Sequence, residues 1–350
     1  MKAGITGLSY SGKTTLFCAL TGQDYSKLPH GKDIHIGTVK VPDVRLDTLY
    51  ELFKPKKKTN VFMEYFDIAG QSSEKGRGME PHILQTLKNA SSLIVMLDNF
   101  RENTDPRKDF DVLMEDFALN DLIVATNRLE SLKKELRSGK SAQLALEKSV
   151  LEECRDALES AELLKEIEFG KEEEKLLRGF QFLTLKPLLI VMNISEADLA
   201  SHAAEDCEKL FNDVKNARCA ALCAEIEMEI AALDEEDRAD FLVSMGIKES
   251  AINRLIRLSY ESLGLISFFT VVGSEEVRAW TVHEGSSAVE CAGVVHSDLE
   301  RGFIRAETIA YDDLMSAGSL KAAREKGLLR IEGRDYIVKD GDILTIRFNV

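Results

Sequence analysis

Eight residues near the amino terminus, Gly7-Leu8-Ser9-Tyr10-Ser11-Gly12-Lys13-Thr14, constrain this chain more than any other stretch. They run as glycine, any four residues, glycine, lysine and then a hydroxyl residue, directly after the apolar run Ala3-Gly4-Ile5-Thr6. The two glycines let the backbone turn tightly enough for consecutive amide N–H groups to converge on phosphate oxygens, helped by the N-terminus of the helix that follows. On this basis Lys13 reaches the β- and γ-phosphates and Thr14 offers its hydroxyl to Mg2+. Ser9, Tyr10, Ser11, Gly12 and Thr15 form the rest of the cradle. A strand, a phosphate loop and a helix in that order open an α/β domain, and the next hundred residues keep the same grammar. A helix is expected over 14–20 and strands over 61–66 and 92–97, with another at 186–193.

A second element lies at the right distance. Asp67 closes an apolar strand and begins Asp67-Ile68-Ala69-Gly70. There the carboxylate can hold the Mg2+ shell through water and the Gly70 amide can meet the γ-phosphate. Gln71 follows, and either orients the attacking water, as a glutamine does there in many GTPases, or faces solvent in a polar loop.

Base selectivity is read from the strand end at 193. A guanine-specific enzyme carries Asn-Lys-x-Asp there, and its aspartate accepts two hydrogen bonds from guanine. This chain has Asn193-Ile194-Ser195-Glu196. Without that clamp the main source of guanine selectivity is gone, because buried hydrogen-bonding partners discriminate far better than a merely shaped pocket. ATP becomes the expected substrate over GTP, with Asn193 at the adenine edge, the Ile194 backbone against the base, and the Ile194 side chain in place of the lysine stem that covers the ring. Cys223 and Ala224 complete the nucleotide-binding set.

Between the strands at 92–97 and 186–193 lies a charged helical insertion. Leu122, Ala125, Leu129, Leu132 and Leu136 recur at spacings of three and four, and Leu144, Leu151 and Leu158 recur every seven, with Cys154 and Ala161 between. Two antiparallel helices are expected, joined at Arg137-Ser138-Gly139-Lys140, either projecting as a short coiled coil or lying flat on the sheet. Past Ile266 the pattern changes to alternating strands at 277–282, 302–309, 336–338 and 343–348, with a helix at 320–326. The Asp340-Gly341 pair suggests a hairpin between the last two strands. The expected domains are 1–109 with 181–265, the insertion 110–180, and a small α+β domain 266–350.

The chain's 350 residues are 44% apolar and carry no apolar run long enough for a membrane helix. Met1 leads almost at once into a strand, so the expected location is the cytoplasm, with no membrane partner. The net charge of −15 disfavours bulk nucleic acid, DNA included, and leaves RNA only a local basic patch. Lys54, Lys56, Lys57 and Lys58 are either such a patch or a solvated loop. Arg301, Arg305, Arg324, Arg330 and Arg334 are either a contact surface or scattered surface charges. The six cysteines lack zinc-ligand spacing and read as reduced thiols.

Over nearly its whole length the sequence resembles the YchF/Obg-like ATPase family. Besides the motifs above, Val41-Pro42-Asp43-Val44-Arg45-Leu46-Asp47, Phe182-Leu183-Thr184-Leu185-Lys186-Pro187, Glu276-Val277-Arg278-Ala279-Trp280-Thr281 and Gly302-Phe303-Ile304-Arg305-Ala306-Glu307 are similar to family signatures. The resemblance implies a G-protein-like P-loop NTPase domain, a coiled-coil insertion, a C-terminal TGS domain, ATP hydrolysis through the non-guanine loop, and association with ribosomes. Two departures stand out. Gly31 occupies the place of the family's switch I threonine, for which Thr38 is a substitute only by a register shift, and Gln71 replaces a hydrophobic residue. The expected protein is a slow ATPase acting as a switch on a ribosomal or other RNA-protein surface. A hydrolysis-deficient nucleotide-binding scaffold and a GTP-specific GTPase are the alternatives.

Overall fold

Strands covered on both faces read as unbroken apolar runs, and two such runs form the middle of the first sheet. The computed structural model describes residues 1–28, 34–68, 80–138, 141–199, 203–244 and 249–349. Its strands are β1 (Lys2–Thr6), β2 (Ile34–Lys40), β3 (Lys57–Thr59), β4 (Phe62–Ile68), β5 (Ser92–Asn99), β6 (Leu188–Ile194), β7 (Ala217–Leu222), β8 (Leu265–Val272), β9 (Glu276–His283), β10 (Phe303–Ala310), β11 (Arg330–Glu332) and β12 (Asp342–Phe348). The chain divides into two compact units, Met1–Val39 with Glu64–Leu255, and Lys40–Met63 with Ile256–Val350.

In the first unit the sheet order is β2-β4-β1-β5-β6-β7, with parallel pairing from β4 through β7. Every residue of β6 and all but the last of β5 is buried. Leu93, Val95, Leu97, Ile190 and Met192 share one core with Phe110, Phe117 and Phe211. In a sheet of this kind ligands bind beyond the carboxyl ends of the strands, and the loops after β1, β4 and β6 carry the motifs singled out above.

The insertion consists of helices Pro106–Ser138 and Ala142–Glu159, which pack on each other. Ala125, Leu129 and Leu132 meet Leu151, Cys154 and Leu158, joined by Val150 and Ala157. Ala161 is not part of the seam. It lies past the helix end, exposed, with a left-handed backbone (φ 59°). Buried Asp121 ties the first helix to the returning chain, accepting from Leu183 N (3.0 Å), Thr184 N (2.8 Å) and Thr184 Oγ1 (2.8 Å).

The second unit has the sheet order β11-β10-β12-β8-β9-β3. The segment Lys40–Met63, expected within the N-terminal domain, belongs to this unit. Helix Val44–Phe53, capped by the Asp43 side chain on Arg45 N, buries Leu46 and Leu49 among Phe269, Val277, Ile309 and Ile343. β3 then adds to the sheet edge parallel to β9. Three of the four lysines of the basic cluster make ion pairs, while Lys54 ends helix Val44–Phe53 with a left-handed backbone. Lys56 pairs with Glu275 (2.8 Å), Lys57 with Glu276 (3.1 Å) and Lys58 with Asp47 (2.8 Å).

The hairpin expected between 336–338 and 343–348 is not present. β12 pairs antiparallel with β10 and parallel with β8, while Ile337 makes only an isolated bridge to Ser287. The Asp-Gly turn is held by other partners. Asp340 accepts from Arg45 (2.7 Å) and from Ser267 N (2.9 Å), and Gly341 N donates to Ser267 O (2.8 Å). Elements of this unit not foreseen include β3, β8, β11 and the helices Val44–Phe53, Ala288–Val295, Ser297–Arg301 and Tyr311–Ala317. No helix among the described residues is long and apolar enough to cross a membrane.

Candidate functional site

The loop after β1 takes a shape that only glycine permits at two places. Gly7 has φ 152°, and a Cβ there would sit 2.3 Å from the Met96 carbonyl oxygen. Gly12 has φ 96°, and a Cβ there would lie 2.4 Å from Asn193 Nδ2. Tyr10, at the crest, is also left-handed (φ 66°) and is 83% exposed. Helix Lys13–Thr21 starts directly after Gly12, so its first amides face the loop. Thr14 and Thr15 are half-buried in its first turn.

The Lys13 amine is buried and donates to Leu8 O (2.8 Å), folding back over the loop. Burial lowers its pKa to about 8, against the pull of the Asp67 carboxylate. Ser11 Oγ is buried with no hydrogen-bond partner among the described residues. A buried cation, a hydroxyl unpartnered among the described residues and helix-end amides thus converge on one loop, donors of the kind that hold an anion.

Asp67 lies next to the end of β4, opposite Ile5 of β1, and is fully buried. Oδ2 faces His35 Nδ1 at 3.3 Å, whereas Oδ1 has no partner among the described residues. His35 was not singled out from the sequence. Its position follows from β2, whose alternation buries His35 and Gly37 and exposes Ile36 and Thr38. Gly37 allows the strand to approach the phosphate-loop helix closely, since a Cβ there would sit 2.2 Å from Thr21 Cγ2. The His35 ring lies 6.0 Å from that of Phe17 on the same helix. Thr38 is on the opposite face of β2 from His35, so it does not stand in for a switch threonine. A period-two reading of 34–39 was the available clue.

At the base end, Asn193 braces the phosphate loop. Its Nδ2 donates to Ser11 O (3.1 Å), and its Oδ1 accepts from Ala224 N (3.0 Å). Both polar ends of the amide are thus engaged inside the protein. The Ile194 side chain is buried in the core below and does not cover a base. Glu196 is exposed, and Ser195 Oγ bonds Asp198 (2.6 Å). Cys223 and Ala224 are buried at the start of helix Ala224–Ala232, which packs on helix Lys13–Thr21. Lys13, Thr14, Asp67, Asn193 and Ala224 therefore gather around one loop, while Gly31, Gly70 and Gln71 lie outside the described residues.

A parallel sheet with a glycine-shaped loop after its central strand, a buried lysine in that loop and a buried aspartate beside it defines a P-loop nucleotide-binding protein of the GTPase-like α/β class. Comparison with known proteins gives the family. The chain is 38% identical over the full length of both proteins to the Ribosome-binding ATPase YchF of Bacillus subtilis (strain 168). It is 36% identical to the protein of the same name from Escherichia coli O157:H7, covering 100% of this chain and 99% of that one. The solved structure of the Schizosaccharomyces pombe YchF GTPase matches with a TM-score of 0.86 at 25% identity, over 99% of this chain and 97% of that chain. Residues 265–349 match the YchF GTPase C-terminal family model, described as a protein of unknown function (DUF933). The chain belongs to the YchF family.

Proposed function

We propose that this chain is a slow nucleoside triphosphatase that takes ATP in preference to GTP and acts as a nucleotide-dependent switch on the ribosome. One observation carries the proposal: the loop at 7–14 holds a buried lysine whose amine rests on a carbonyl of its own loop, beside a buried carboxylate with one oxygen unpartnered among the described residues. The donor set fits Mg2+, which takes hard oxygen ligands and keeps several waters. Thr14 would hold it directly and Asp67 through water, which would give Asp67 Oδ1, unpartnered among the described residues, a donor. When bound, Mg2+ would supply charge neutralisation on the β- and γ-phosphates.

The chain's own residues do the rest. The amides of residues 9–14 hold the phosphate oxygens, and Lys13 exchanges the Leu8 carbonyl for phosphate. Gln71 is the water-positioning candidate. Turnover without a partner is expected to be low, as in P-loop switches whose transition state is completed by an added arginine. The ATP preference rests on Asn193-Ile194-Ser195-Glu196. With the Asn193 amide engaged by Ser11 and Ala224, base recognition falls to backbone groups, and nothing in that tetrad demands guanine. Ribosome association rests on the names of the bacterial relatives. We read the helix pair as a coiled-coil hairpin, residues 266–350 as a TGS domain, and the protein as cytoplasmic.

A GTP-specific enzyme is the second reading, favoured by the Schizosaccharomyces pombe relative, which is named a GTPase. Phosphate release from ATP and from GTP by wild type and Lys13→Ala tests both. The expected result is faster release from ATP and a loss of about 100-fold in the variant, the scale of removing one charge-stabilising group. Equal rates in the two proteins would remove the enzyme claim. Tight binding of Mg2+-ATP with no release over hours would instead select the scaffold.

A further inference from the structure

His35 has no part in the phosphate-loop signature, yet it is the described side chain seen to bond Asp67. It is 7% exposed, and β2 aims it inward beside a fully buried carboxylate. A buried carboxylate oxygen needs a donor; Oδ2 faces His35 Nδ1 at 3.3 Å, whereas Oδ1 has no partner among the described residues. The pair is thus asymmetric, with one oxygen anchored to the sheet and the other left open. Phe17, tilted against the imidazole, and Gly37, which brings β2 close to the phosphate-loop helix, fix where the ring sits.

We propose that His35 is a positioning residue for the divalent cation: its Nδ1–H holds Asp67 Oδ2 and thereby presents Oδ1 to the water shell of Mg2+ at the phosphate loop. The proposal rests on the nucleotide-binding function above. Residues that orient a cation's carboxylate partners change its affinity by about 10- to 100-fold when lost. His35 would contribute to the Mg2+-dependent part of nucleotide binding and to no other part. A carboxylate accepts and does not donate, so Nδ1 must carry the proton. In asparagine, Nδ2 occupies nearly the same place as Nδ1 and can make the same donation.

The test measures affinity for a fluorescent ATP analogue by full-length wild type, His35→Leu and His35→Asn, each with excess Mg2+ and with a chelator. We expect His35→Leu to lose about tenfold or more of the affinity gained from Mg2+, with affinity in chelator within about twofold of wild type, and His35→Asn to recover most of the loss. An unchanged Mg2+ gain in His35→Leu, or equal losses with and without Mg2+, would overturn the proposal and leave His35 a structural brace. Absence of binding by wild type in both conditions would instead sink the nucleotide-binding function itself. Should His35→Leu fail to fold, the ¹⁵N spectrum of histidine-labelled wild type decides. A protonated Nδ1 at His35 is expected, and a neutral ring protonated only at Nε2 contradicts the donation.

Discussion

At Gly12 two constraints meet at one atom. The backbone is left-handed, and the space a Cβ would take is held by the Asn193 amide, itself engaged by Ser11 and Ala224. Gly12→Ala therefore strains the backbone by roughly 1–2 kcal/mol and pushes Asn193 off the Ser11 carbonyl. The expected outcome is a modest fall in the thermal unfolding midpoint and a much larger loss of nucleotide affinity, measured on the same sample. A variant that binds nucleotide as wild type does would show that the brace between loop and β6 has no functional weight. Lys13 belongs to the same local design. Its amine rests on a carbonyl of its own loop, a contact that phosphate oxygens can replace without moving the helix.

Among the elements, the helix pair depends on Asp121 for its attachment to the chain that enters β6. Burial raises the Asp121 pKa to about 6, against the lowering effect of hydrogen bonds from Thr184 and Leu183. An unfolded carboxyl titrates near 3.9, so between pH ~4 and ~6 the folded state holds more protons and stability falls as pH rises through that window. Asp121→Asn has no such titration. Wild type is expected to lose on the order of 2 kcal/mol relative to the variant between pH 4 and pH 7, read from urea unfolding at the two pH values. A difference that does not change with pH would contradict the assignment.

The elements also show what a sequence can reveal. β5 and β6 were legible because burial on both faces writes an unbroken apolar run, and the helix seam because its leucines keep a steady period. The phosphate loop was legible because its conformation depends on two glycines and a strand-helix frame, all local. β3 was not, since three residues rich in lysine become a strand only through pairing with β9, with ion pairs from Lys57 to Glu276 and from Lys58 to Asp47. The Asp-Gly pair misled for the same reason, because the partners of β12 are the distant strands β10 and β8. His35 acquires its role only from the strand beside it, and the Asn193 amide turns to Ser11 and Ala224 because those residues reach it from the phosphate loop and from the start of helix Ala224–Ala232.

For the molecule as a whole, the second unit is assembled from two separated pieces of chain. Leu46 and Leu49 cover the face of the sheet that carries Phe269, Val277 and Ile343, and each buried leucine contributes about 1.5–3 kcal/mol. Residues 256–350 produced alone are expected to aggregate or to give a poorly dispersed amide spectrum, and fusion of residues 40–63 to that fragment to restore dispersion. A well-dispersed spectrum from 256–350 alone would show the piece to be dispensable.

The central claim is that the backbone cradle at 7–14 grips a triphosphate. Calorimetric titration of the folded protein with ATP and with GTP, Mg2+ present, tests it most directly. One saturable site is predicted, tighter for ATP and strongly weakened in Lys13→Ala. No heat of binding from either nucleotide, with circular dichroism showing the protein folded, would contradict it.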